Sequence, residues 1–203
     1  MWSMHSPDGE PDPEFYRRMS APENEIPVAV PLNTVLARTP DAAIALIGLQ
    51  VYSTGVSFDL SVRIRSPLGP AHRGLNDLVF DHGGSPGQFL LGVELADGRR
   101  ASNVLGHAGS DDVVFHSGGG GGGELSVDQS WWLYPLPPEG PLRFVLSCPA
   151  LGIDESSTVV DGALIRRAAN DVVTLWPWSP PDHDRPPPPP PDLPAGSWFG
   201  APT

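Results

Sequence analysis

The sequence predicts a mainly β fold: an antiparallel β-sandwich of about seven to nine short strands closed by one C-terminal α-helix, with a partly open β-barrel as the alternative. Three observations carry this. The segment GVSFDLSVRIRS sets Val56, Phe58, Leu60, Val62 and Ile64 in strict alternation with Ser57, Asp59, Ser61, Arg63 and Arg65, the period of a strand with one wet face. Glycine-containing turn signals separate most of the apolar runs. Finally, 26 prolines and 23 glycines among 203 residues leave little sequence able to form long helices.

Taken in order, residues 1–25 are acidic, carry the aromatic pair Phe15-Tyr16 as the anchor nearest the domain, and read as a disordered arm. Residues 26–176 form the domain. IPVAVPLNTVLAR places Val28, Val30 and Leu32 on one face, and Pro27 and Pro31, which cannot donate to a ladder, assign it to a sheet edge. AAIALIGLQVYS is apolar on both faces and joins the alternating strand through Ser53-Thr54-Gly55, so this pair is expected at the sheet centre. The stretch 66–87 reads as a long connection with a short turn at Leu78–Phe80. QFLLGVELADGRRASNV alternates at Phe89, Leu91, Val93 and Leu95 and turns on Asp97-Gly98, a hairpin signal. Short strands are expected at Val113–His116, Trp131–Tyr134, Leu142–Leu146 and Thr158–Val160. The six glycines at 118–123 read as a flexible linker between strands. Leu164, Ile165, Ala168, Ala169 and Val172 recur at helical spacing after Asp161, which predicts a capped helix over about 161–173. Residues 177–203 form a disordered proline-rich tail in which the run Pro186–Pro191 is a polyproline II rod and Trp198-Phe199 lie beyond it.

Charge restricts the partners. Acids outnumber basic residues 24 to 12, none of the basic residues is a lysine, and no segment offers a basic face. Nucleic acids and anionic membranes are therefore excluded as partners, because their affinity comes from neutralised phosphates. The chain has no apolar run long enough for a membrane helix and no secretion-signal pattern, and its single cysteine, Cys148, allows no internal disulfide. A cytoplasmic location is the expectation.

Over residues 118–176, continued to Pro177, the chain reads GGGGGGELSVDQSWWLYPLPPEGPLRFVLSCPALGIDESSTVVDGALIRRAANDVVTLWP. This string resembles an uncharacterised protein group of GC-rich Gram-positive (actinobacterial) bacteria, in which a glycine run precedes a Trp-rich strand, a PLPP-G-PL turn and a short helix ending in Leu-Trp-Pro. The resemblance implies a shared fold unit. It carries no catalytic residue, cofactor or mechanism.

Candidate chemistry is sparse. His72, His82, His107 and His116, with Asp81, are residue types that bind zinc or iron, but none stands at a spacing such as HxH or HExxH, and solvated loop histidines are the competing reading. No serine sits in a GxSxG elbow, the glycine run lacks the Lys-Ser/Thr of a phosphate loop, and Cys148 at a strand end reads as a small buried hydrophobe. No catalytic residue or cofactor is assigned. Trp131 and Trp132 are consecutive, so on a strand they point to opposite faces; one fills the core and the other is either exposed or covered by a loop, the tail or the helix. The expected function is a non-enzymatic binding or adaptor module that engages a protein partner through Trp131 or Trp132 and through the tail at Pro186, Pro191, Trp198 and Phe199. A metal-dependent hydrolase built on the 72–116 loop residues and a carbohydrate-binding module using an exposed tryptophan are the alternatives.

Overall fold

The computed structural model describes residues 13–69, 74–80, 88–104 and 112–180. The strict alternation of Val56–Ile64 makes β4, and it pairs antiparallel with β3 (Ala42–Val51), which pairs in turn with β2 (Val28–Arg38). On its other side β4 pairs with β8 (Ser126–Tyr134), and β8 with β7 (Val114–Gly122), giving a five-stranded sheet in the order β2-β3-β4-β8-β7. A second sheet runs β10-β9-β5-β6, from β5 (Leu90–Glu94), β6 (Arg100–Ser102), β9 (Pro141–Cys148) and β10 (Ile153–Asp161). The two sheets stack face to face, with β10 beside β2 and β6 beside β7, as an open β-sandwich and not a closed barrel.

The alternation expected for β4 is met: Val56, Phe58, Leu60, Val62 and Ile64 are buried, while Asp59 and Arg63 are exposed. Strand β3 keeps its inward phase across Gly48, whose φ of 59° places it in the left-handed region, by a bulge between Ile47 and Leu49. Ile44 and Leu46 point inward before that bulge, and Leu49 and Val51 after it. Strand β2 lies at the sheet edge, and its ladder skips between Val30 and Asn33, where Pro31 has no N–H to give. From the smaller sheet, Leu91, Val93, Leu142, Phe144 and Leu146 complete the core, and Phe58 meets Phe144 edge-to-face across the sheets at 5.4 Å.

Several local expectations change. The glycine run is not a linker: Gly118–Gly122 continue β7 as an edge strand paired with β8, and the hairpin turns at Glu124-Leu125. A Cβ at Gly120 would strike the Asp128 carbonyl and one at Gly122 the Ser126 carbonyl, whereas Gly119 and Gly121 face open space. Bare backbone is therefore required at alternate positions. Leu78–Phe80 belongs to a helix, α2 (Leu75–Phe80), whose Asn76 side-chain amide donates to the Gly122 carbonyl at 3.1 Å.

The C-terminal helix, α3 (Gly162–Ala169), starts on Asp161, whose carboxylate accepts from the Ala163 N–H at 2.9 Å. It ends earlier than the expected 173, because β-branched Val173 and Thr174 form a strand, β11, that pairs with β1 (Glu25–Ile26). Arg166 fixes α3 to the Pro-rich turn by donating from Nε to the Pro137 carbonyl at 2.6 Å and from its guanidinium to Leu136 at 3.0 Å. The Tyr134–Pro135 peptide in that turn is cis. One helix is expected from the sequence and three are present among the described residues; besides α2 and α3 there is α1 (Pro13–Met19), inside the arm expected to lack regular structure.

Candidate interaction surfaces

Consecutive positions on β8 send Trp131 and Trp132 to opposite faces. Trp131 enters the core, 1 % exposed, stacked on Phe115 at 4.7 Å with Phe58 beyond it. Its indole N–H donates to Gln129 Oε1 at 3.1 Å, a polar pair wholly inside the sandwich. Trp132 faces outward, with His116 directly opposite it on β7 and Val114 opposite Tyr134.

This outer patch is covered by α1. The Trp132 indole N–H donates to the Arg18 carbonyl at 2.7 Å, and His116 Nε2 contacts the Met19 carbonyl at 2.8 Å. His116 Nδ1 lies 3.1 Å from the Ser117 carbonyl, so each ring nitrogen faces a carbonyl oxygen. The Arg18 guanidinium sits 5.7 Å from the Tyr134 ring centre and the Arg17 guanidinium 5.3 Å from that of Trp178, both cation–π contacts. Tyr52 packs edge-on against Trp132 at 5.8 Å. Burial, with the carboxylate of Glu25 nearby, pushes the Tyr52 hydroxyl above its ordinary value. No residue of α1 is itself buried. Side-chain periodicity misses this helix because it is only seven residues long, none of them buried, and main-chain carbonyls and two arginines take part in seating it.

The second surface lies where the two ends of the domain meet. Ile26 pairs with Val173 and Glu25 with Thr174, and the Leu175 N–H donates to the Asn24 carbonyl at 2.8 Å. Asn24 is buried and its side-chain amide donates to the Trp176 carbonyl at 2.7 Å. Directly paired residues share a face, so Ile26, Val173 and Leu175 form one apolar strip. They are 52 %, 52 % and 45 % exposed, and Trp176 beside them 58 %. Between this ribbon and α1 lies a crevice of about 170 Å³ lined by Tyr16, Arg17, Pro22, Trp176 and Trp178.

The third is the outer face of the smaller sheet, a shallow depression of about 420 Å³. Strand register aligns Ser102, Gly92 and Val145 across its floor, with Leu90 and Ser147 in the next row. Glu94 and Arg100 pair at 2.8 Å at its rim.

Of the residues singled out in the sequence, Trp131, Trp132 and His116 are placed as above. Neither tryptophan presents a free ring face for a sugar, one being in the core and the other beneath α1. His72, His82, His107 and Asp81 lie outside the described residues, as do Pro186, Pro191, Trp198 and Phe199. Among the described residues no three His, Cys, Asp or Glu side chains converge as metal ligands, and no helix is long and apolar enough to cross a membrane. Cys148 is fully buried, and burial pushes its thiol up to about 11, an environment of an inert sulfur. The chain matches no family model, no curated protein and no solved structure, so its function is read from these surfaces.

Proposed function

We propose that the protein is a non-enzymatic binding or adaptor module that engages a protein partner at the pole where its chain ends pair. The observation that supports this reading is the strip of Ile26, Val173 and Leu175 with Trp176 next to it at the chain exit, four large apolar side chains each about half exposed. Apolar side chains clustered this way gain free energy when something covers them, and a strip already paired into a ribbon lowers the entropy cost of binding. The proline-rich tail begins just beyond this strip and ends in Trp198-Phe199, so ribbon and tail together offer two linked contacts to one partner. A net charge of −12 favours a partner of neutral or basic surface.

The test compares the tagged full chain with a Leu175→Ser/Trp176→Ser variant and with a chain ending at Pro180, using cross-linking and mass spectrometry to identify bound proteins. Loss of the same partner from both variants, each verified as folded by circular dichroism, supports the reading. An identical set of partners on all three overturns it.

A further inference from the structure

We propose that the aromatic platform beneath α1 is itself a recognition site for an arginine-bearing segment of a protein, and that α1 occupies it as a resident, displaceable mimic. This inference does not rest on the exposed strip above; it comes from what lies under the arm. The outer side of β4 carries the polar residues Ser57, Asp59, Ser61 and Arg63, of which Asp59 and Arg63 are exposed. At the neighbouring end of β8 the same face carries Trp132 and Tyr134, with His116 alongside and Tyr52 packed against the indole. A cluster of rings with N–H donors pointing outward has a defined complement: carbonyl oxygens for the donors and guanidinium planes for the ring faces.

The seated helix supplies that complement. Carbonyls of two consecutive residues, Arg18 and Met19, meet the Trp132 and His116 nitrogens, while the guanidiniums of Arg17 and Arg18 lie over Trp178 and Tyr134. The receptor side is rigid, since Trp132 stands on an inner strand of the five-stranded sheet and Gly55 has no side chain where the indole ring packs. The ligand side is weakly held. α1 has seven residues, none buried, and is shorter than a helix that persists unaided. Its seat includes polar and cation–π contacts, and both arginines also lie within 3.7 Å and 3.6 Å of Glu14 on the helix itself; with no buried residue to lose, α1 meets the condition for local opening without loss of the core. Pro22 and buried Asn24 anchor the chain immediately after the helix, so the pivot falls at Ser20-Ala21 and the arm can leave without disturbing β1.

The experiment uses the full chain and two synthetic peptides, PEFYRRMS and its Arg→Gln analogue PEFYQQMS, with the indole N–H resonances followed by NMR. An Arg17→Gln/Arg18→Gln protein loosens α1 while leaving the platform intact. The RR peptide is expected to bind this variant saturably and shift the Trp132 indole signal, to bind the unmodified chain at least about tenfold more weakly because α1 competes, and to lose binding in its QQ form. Absence of saturable binding to the folded variant, equal affinity for both proteins, or equal affinity of both peptides overturns the proposal. Should the variant fail to fold, hydrogen exchange on the unmodified chain decides. Amides of α1 and the Trp132 indole exchanging far faster than the β4–β8 ladder support displacement, and equal protection overturns it.

Discussion

The indole N–H of Trp132 and the main-chain carbonyl of Arg18, 114 positions apart in sequence, meet at 2.7 Å and tie the amino-terminal helix to the outer face of the sandwich. This bond takes up one of the carbonyls that a helix leaves unpaired in its last turn. Trp132→Phe keeps a ring and removes the donor. It is expected to speed hydrogen exchange in α1 several-fold, the effect of losing a bond of about 0.5–1.5 kcal/mol, while global unfolding by urea shifts by no more than that amount. Unchanged exchange in α1 would show that the helix is held by its other contacts, the His116–Met19 contact and the two arginines, and not by this bond.

Trp131 is expected to behave in the opposite way. Its ring stacks on Phe115 inside the core, so Trp131→Ala removes about 3–5 kcal/mol of stability, measured by urea or thermal unfolding. Trp131→Phe isolates a second effect. It leaves Gln129 Oε1, which accepts from the indole, without that donor in the buried interior, at a cost of about 1–3 kcal/mol that Trp131→Phe/Gln129→Leu recovers in part.

The glycine strand supplies a test of alternation. Gly121→Ala points its methyl into open space and limits the unfolded chain, so the variant is expected to gain about 0.4–1 kcal/mol. Gly120→Ala and Gly122→Ala press a methyl onto the carbonyls of Asp128 and Ser126 and are expected to lose more than that. Thermal midpoints of the single variants, measured side by side, settle the point; equal shifts at positions 120 and 121 would refute the strand register.

Cys148 is expected to resist iodoacetamide in the folded protein at neutral pH, since its thiol is both buried and pushed up to about 11. Mass spectrometry should find complete labelling only after denaturant is added. Rapid labelling of the folded chain would place the sulfur at the surface.

Strand β4 is the part of the fold most legible in the amino-acid sequence, because a half-wet strand writes its period directly into the order of apolar and polar residues. The edge position of β2 is legible for a different reason, the two prolines. The glycine strand is not: composition records conformational freedom, whereas Gly118–Gly122 are ordered by a partner strand that the local sequence does not contain. The same applies after Ala169, where Val172 continues the helical spacing, yet the next two residues, Val173 and Thr174, pair with Ile26 and Glu25 at long range. At the outer patch, Trp132 is visible as a candidate, but its cover is not, since main-chain carbonyls carry no sequence signature.

The ribbon of β1 and β11 has a mechanical consequence. Chain enters it at Asn24 and leaves it at Leu175, both at the same end of the two paired residues. Tension applied between the termini therefore opens the pairs in succession, as a zipper does, rather than shearing them together. The ribbon parts at low force while the two larger sheets, loaded only afterwards, keep their strands joined, and it acts as a fuse between whatever pulls on the tails and the sandwich behind them.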